Sequence, residues 1–139
     1  MITVLIYLNT LIFVLLSALH FYWAAGGKWA LVSSIPISTT EKPLFKPGRI
    51  GTLIVAIGLL IFSLVIYFQL ARFYPTTHPY LDYATLVIAF IFLARTIGDF
   101  KYIGLFKKVK TTSFAINDTK IYIPLCFYLA LSCLLIVIL

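Results

Sequence analysis

Four long apolar runs constrain this chain more than anything else in it. Ile2 to Ala25, Ile50 to Ala71, the segment opening at Pro79, and Ile121 to Leu139 carry almost no charge. At about 1.5 Å per residue, some 20 helical residues cross the roughly 30 Å hydrocarbon core of a bilayer. A soluble monomer cannot hide four such runs, since it rarely exposes an apolar patch beyond roughly a few hundred Å². Composition agrees, with 63% hydrophobic and 11% charged residues and a mean hydropathy of +1.09. In lipid every backbone N–H and C=O needs an internal partner, so such runs are helices. The expected fold is all-α: a four-helix transmembrane bundle with helices near 2–25, 48–71, 79–99 and 119–139, making one integral membrane domain over 1–139.

Local signals set the boundaries. The first run lacks a basic n-region and an A-x-A cleavage pattern, so it reads as a retained helix rather than a signal peptide. Thr3, Thr10, Ser17 and Ala24 recur every seven residues along it, a small-residue seam suited to close packing. Gly51 and Gly58 suggest a similar face on the second helix. Gly26 and Gly27 end the first helix, and a proline-punctuated loop follows, with Trp29 as an interfacial anchor. Ser38 and Glu41 have capping-box spacing, but Pro43 follows too soon for a helix. Pro79 and Asp82 suit the first turn of the third helix, and Asp118 is expected to cap the fourth. Each half of the chain reads as helix, basic loop, helix.

Basic residues set the expected orientation. Lys28, Lys42, Lys46 and Arg49 lie in or beside the first loop, and Lys101, Lys107, Lys108, Lys110 and Lys120 in or beside the third. The middle connection has only Arg72. The positive-inside rule puts loops 26–47 and 100–118 in the cytoplasm and both termini outside, in a bacterial cytoplasmic membrane. The lysine and aromatic run from Lys101 to Lys110 then reads as an interfacial segment drawn to anionic headgroups, not as a nucleic-acid site.

With that topology, ionisable groups from several segments approach one depth. His20 lies near the basic end of the first helix and Arg95 one to two turns inside the third, with Arg49, Asp99 and Asp118 at the same boundary. Ionisable residues within a membrane usually face the bundle interior and find partners. Arg95 and Asp99, one turn apart, are an expected pair; Trp23 lies one turn beyond His20. The ligand-binding candidates are therefore His20, Trp23, Arg49, Arg95, Asp99 and Asp118. No metal or other cofactor is expected: His78 falls at the opposite face from His20, which argues against bis-histidine haem ligation, and Cys126 and Cys133 have no ligand spacing. Seven residues apart on a helix, those cysteines are about 10.5 Å from one another, too far for a disulfide.

The stretches HFYWAAGGKWA at 20–30 and RTIGDFKYIGLFKKVKTTSFAINDTKIYIPLC at 95–126 resemble an uncharacterised bacterial family of small four-helix membrane proteins, domain of unknown function 3995. The resemblance spans essentially the whole chain. Its pattern joins His-x-x-Trp and following glycines to Arg-x-x-Gly-Asp, a downstream Phe and Asp, and Pro-Leu-Cys at the last helix. Here those positions are His20, Trp23, Gly26, Gly27, Arg95, Gly98, Asp99, Phe114, Asp118 and Pro124. The family implies the four-helix fold and brings no activity with it. Three functions fit the residues. The first is a protein binding a lipid, a small amphiphile or a membrane partner through the polar cluster. The second is a small membrane enzyme using His20 and Asp99 for acid/base chemistry on a lipid-like substrate. The third is a transporter protomer, which would need homo-oligomerisation to enclose a lumen. A binding site predicts a cavity lined by His20 and Arg95; a purely structural cluster predicts closed ion pairs and no cavity.

Overall fold

The computed structural model describes residues 1–36, 38, 42–44, 48–73 and 79–139, with Arg72 and Phe73 in backbone only. His78, Glu41, Lys46 and Pro47 lie outside the described residues, and with them the readings placed there. Among the described residues the order is α1 (Ile2–Ala24), a short α2 (Leu31–Ser34), α3 (Arg49–Phe68) running into a 3-10 turn (Gln69–Phe73), α4 (Pro79–Ile97), α5 (Ser113–Asn117), a π-helical turn (Asp118–Tyr122) and α6 (Ile123–Ile138). Four helical spans, Ile2–Ala24, Arg49–Ala71, Pro79–Ile97 and Ser113–Ile138, are each long and apolar enough to cross a membrane.

The spans alternate in direction, so the two basic loops share one end and the termini share the other, where Leu139 lies beside Met1, Ile2 and Thr3. α1 packs along α3, and α4 along α6, over much of their lengths; contacts between these two pairs are few. Each half is thus a helical hairpin, as its helix, loop, helix pattern implied. The core is Ile6, Phe13, Leu59, Ile66, Ile88, Ala89, Leu129, Cys133 and Ile136. Phe13, Phe62 and Phe92 join α1, α3 and α4 at ring separations of 5.4 to 6.4 Å. Outside it, Val4, Leu11, Leu15, Ile54, Ile61, Phe90 and Phe127 are exposed, the expected arrangement where lipid is the solvent.

Small and polar groups join the helices where backbones come close. Ser17 Oγ donates to the Ala56 carbonyl at 2.7 Å, linking α1 to α3. Asn9 Nδ2 donates to Ser132 Oγ at 2.8 Å, and that hydroxyl donates to Asn9 Oδ1 at 3.1 Å, linking α1 to α6. The buried face of α1 is therefore Ile6, Asn9, Phe13 and Ser17, and of the expected seam only Ser17 belongs to it. Gly51 and Gly58 do not mark a packing face: a Cβ on either would meet nothing within 4 Å. The close approach is at Ala56 instead. At the termini end, Gln69 Nε2 donates to Thr85 Oγ1 at 2.8 Å and to Asp82 Oδ1 at 3.2 Å, so Asp82 ties α3 to α4 besides facing a helix N-terminus.

Two expected boundaries move. α4 stops at Ile97, two residues short, and the last span begins at Ser113, six residues early. Thr112 is its N-cap, accepting from the Ala115 amide at 3.2 Å. Asp118 is therefore not a cap but an interior residue of the span. The π turn has a local cause. Pro124 has no N–H to give, and its ring crowds the carbonyl of residue 120. Immediately before it the ladder widens, so that the Ile123 amide bonds to the Asp118 carbonyl five residues back.

A candidate ligand cleft at the basic end

α1 ends in a Schellman-type turn, with the Gly27 amide on the Tyr22 carbonyl at 2.9 Å and Gly26 on Trp23 at 3.0 Å. The reversal brings Trp29 back over the helix end, where its carbonyl accepts from Trp23 Nε1 at 2.8 Å. Trp23 in turn packs edge-on to His20 at 4.9 Å. His20 Nδ1 lies 2.7 Å from the Leu16 carbonyl. A carbonyl only accepts, so Nδ1 holds a proton and Nε2 is left for another partner.

The loop after α4 is folded by glycines and one carboxylate. Gly98 and Gly104 have φ of +81° and +89°. A Cβ on Gly98 would collide with the Ile103 carbonyl, and one on Gly104 with the Ile97 carbonyl. Both positions require glycine. Asp99 Oδ1 accepts from the amides of Lys101, Tyr102 and Ile103 at 2.9, 2.7 and 2.8 Å. Desolvation, the largest single effect, pushes the Asp99 carboxyl up, but the amides of Ile103, Tyr102 and Lys101 and its own amide together hold it below its ordinary value. Asp99 is thus exposed and committed to its own loop. It does not pair with Arg95.

The partner of Arg95 is Asp118, with Nη2 to Oδ1 at 2.8 Å. The π turn places Asp118 fully inside, and the loop supplies its other contacts. Oδ2 accepts from the Gly104 amide at 2.9 Å and from Lys107 Nζ at 3.1 Å. Lys107 also donates to the Gly104 carbonyl at 3.2 Å and to Thr119 Oγ1 at 2.7 Å. Lys107 is only 4% exposed, so it is not among the surface lysines; Lys101, Lys108 and Lys110 are. Sequence reasoning missed Lys107 because one lysine in a lysine-rich run carries no mark of burial.

Arg95 differs from Lys107 in one respect. It spends one nitrogen on Asp118, while its Nη1 is buried and has no partner among the described atoms. The side chain is 31% exposed and lines two adjoining cavities between the helix pairs. One, of about 390 Å³, lies on the α6 side and is bordered by His20, Trp23, Trp29, Tyr122 and Leu129. The other, of about 410 Å³, lies between α3 and α4 and is bordered by Val55, Gly58, Phe62 and Ile91. Leu16, His20, Phe92, Arg95 and Cys126 border both. The lining is apolar except at one end. Of the candidates, His20, Trp23 and Arg95 meet in this cleft, and Asp118 stands behind it as the counterion of Arg95. Arg49 does not join them: it borders a separate shallow pocket with Phe21, Ala24 and Leu53. Among the described residues no three His, Cys, Asp or Glu side chains gather as metal ligands would.

A family model described as protein of unknown function (DUF3995) matches residues 13–133. The chain belongs to this family. The DUF3995 match takes in the greater part of α1, all of α3 and α4, and most of α6, so every candidate residue lies inside it. No curated protein and no solved structure matches the chain. The family description carries no activity.

Proposed function

We propose that this integral membrane protein binds a lipid or small amphiphile in the cleft between its helix pairs, at the cytoplasmic face of a bacterial membrane. The observation that carries the reading is the pair of adjoining cavities bordered by both His20 and Arg95. An apolar cleft with a few convergent polar groups is the usual form of a small-molecule site. The cytoplasmic placement rests on the basic loops sharing one end. In the loop at the same end of the molecule, Phe100 stacks on Phe106 at 6.0 Å, both exposed, beside Lys101 and Lys108. Such a surface suits the headgroup layer, where anionic lipids attract lysine.

Native mass spectrometry of the purified protein tests this reading. A co-purified amphiphile is expected on the wild type and should be lost in Gly58→Leu, because Gly58 borders the cavity and a Cβ there meets nothing within 4 Å. Equal retention by both proteins would count against the cleft as the site.

A further inference from the structure

We infer that the amphiphile carries an anionic head, a phosphate or carboxylate, bound by the uncommitted side of the Arg95 guanidinium while its hydrocarbon chain lies in the apolar part of the cleft. The inference rests on the proposed binding role of the cleft. Three observations lead to it. The buried cluster holds two cations, Arg95 and Lys107, against the single carboxylate of Asp118, so one positive charge is uncompensated. Lys107 uses its donors on Gly104, Asp118 and Thr119, so the unmet hydrogen-bonding capacity falls on Arg95, whose buried Nη1 has no partner among the described residues and whose side chain is partly exposed. Arg95 is also the cation that borders both cavities. A planar guanidinium held by a carboxylate on one side is oriented to grip an oxyanion with the other. His20 borders the same space, but with its Nδ1 proton on the Leu16 carbonyl the neutral ring offers only an acceptor at Nε2, so the anionic head falls to Arg95.

The rest of the lining excludes a free inorganic anion as the intended occupant. Leu16, Phe62, Phe92, Leu125 and Leu129 offer such an ion nothing, whereas they solvate an acyl chain. The aromatic trio Phe13, Phe62 and Phe92 packs across three helices beside the cleft. Phe13 itself is fully buried.

The test varies the head and keeps the chain. Full-length protein in maltoside micelles is offered oleyl phosphate, oleate and oleyl alcohol, and bound mass is read by native mass spectrometry. Both anions should be retained at least about tenfold over the alcohol, the size expected of one charge-assisted hydrogen bond in place of a neutral contact. Equal retention of all three would overturn the anionic head and leave the cleft reading standing. Retention of none would end both. Displacement of oleyl phosphate by millimolar inorganic phosphate would assign the site to a soluble anion instead and overturn the amphiphile. Arg95→Lys supplies the second arm: one ammonium can keep Asp118 neutralised but cannot reach both partners, so the anion preference should vanish in a folded protein. Undiminished preference in that variant would sink the role of Arg95, and if the variant does not fold the wild-type series still decides.

Discussion

Asp118 and Asp99 are both carboxylates near the basic end, and their environments give them opposite importance. Asp118 is fully buried and is the one carboxylate that Arg95 and Lys107 share, so Asp118→Asn leaves both without a countercharge. Breaking a buried pair in this way costs about 3–5 kcal/mol, and a large drop in the unfolding midpoint in detergent is expected. Lys107→Met, which removes a charge along with its desolvation, should cost clearly less. If the two variants unfold alike, the buried cluster does not have the energetics assigned to it. Asp99 instead organises a loop in water. Its folded carboxyl titrates below its ordinary 3.8, so its contribution is complete above that value and is lost as pH falls through the lower folded one. Hydrogen exchange at Lys101, Tyr102 and Ile103, corrected for intrinsic rates, should lose protection in that acid window. Asp99→Ala should lack the protection even at neutral pH. An unchanged acid transition in Asp99→Ala would show that another group controls the loop.

At the scale of helices, hydropathy made the spans legible, while their contact faces were not. Apolar runs report their length faithfully because lipid demands it, but in lipid a leucine gains little by facing inward, so periodicity carries no interface signal. That is why Gly51 and Gly58, small and regularly spaced, pointed to the wrong face. The contact is revealed by a hydroxyl with a carbonyl to meet: Ser17 on Ala56. Ala56→Leu should therefore overpack the α1–α3 seam and cost about 1–3 kcal/mol. Gly58→Ala should be neutral or raise helix stability by up to about 1 kcal/mol, because its Cβ enters open space. Unfolding in mixed micelles separates the two, and a destabilised Gly58→Ala would restore the glycine face. The last span shows the same limit from another side. A charged Asp118 before an apolar run reads as a cap, yet Thr112 caps this span and Asp118 lies inside it, in the π turn before Pro124.

For the whole molecule, the site follows from how the two hairpins meet. Each packs tightly within itself, and the few contacts between them leave a gap at the basic end. The charged groups that sequence placed at one depth are divided by this arrangement: His20 and Arg95 face the gap, Asp118 backs it, and Arg49 and Asp99 lie elsewhere. Depth could be counted from helix length, but azimuth could not, and azimuth decides which groups meet. The side on which the gap opens is then a matter of charge. Lys28 and exposed Lys101, Lys108 and Lys110 lie at this end, and the positive-inside rule is the basis for proposing that it faces the cytoplasm. Single cysteines at Lys28 and Lys108, in a background where Cys126 and Cys133 are replaced by alanine, should be blocked by a membrane-impermeant maleimide only after the cells are opened. A cysteine at Met1 should react in intact cells. Labelling of the Lys108 position from outside would turn the molecule over and move the cleft, with its Arg95, to the outer leaflet, where a different pool of anionic amphiphiles would have to supply it.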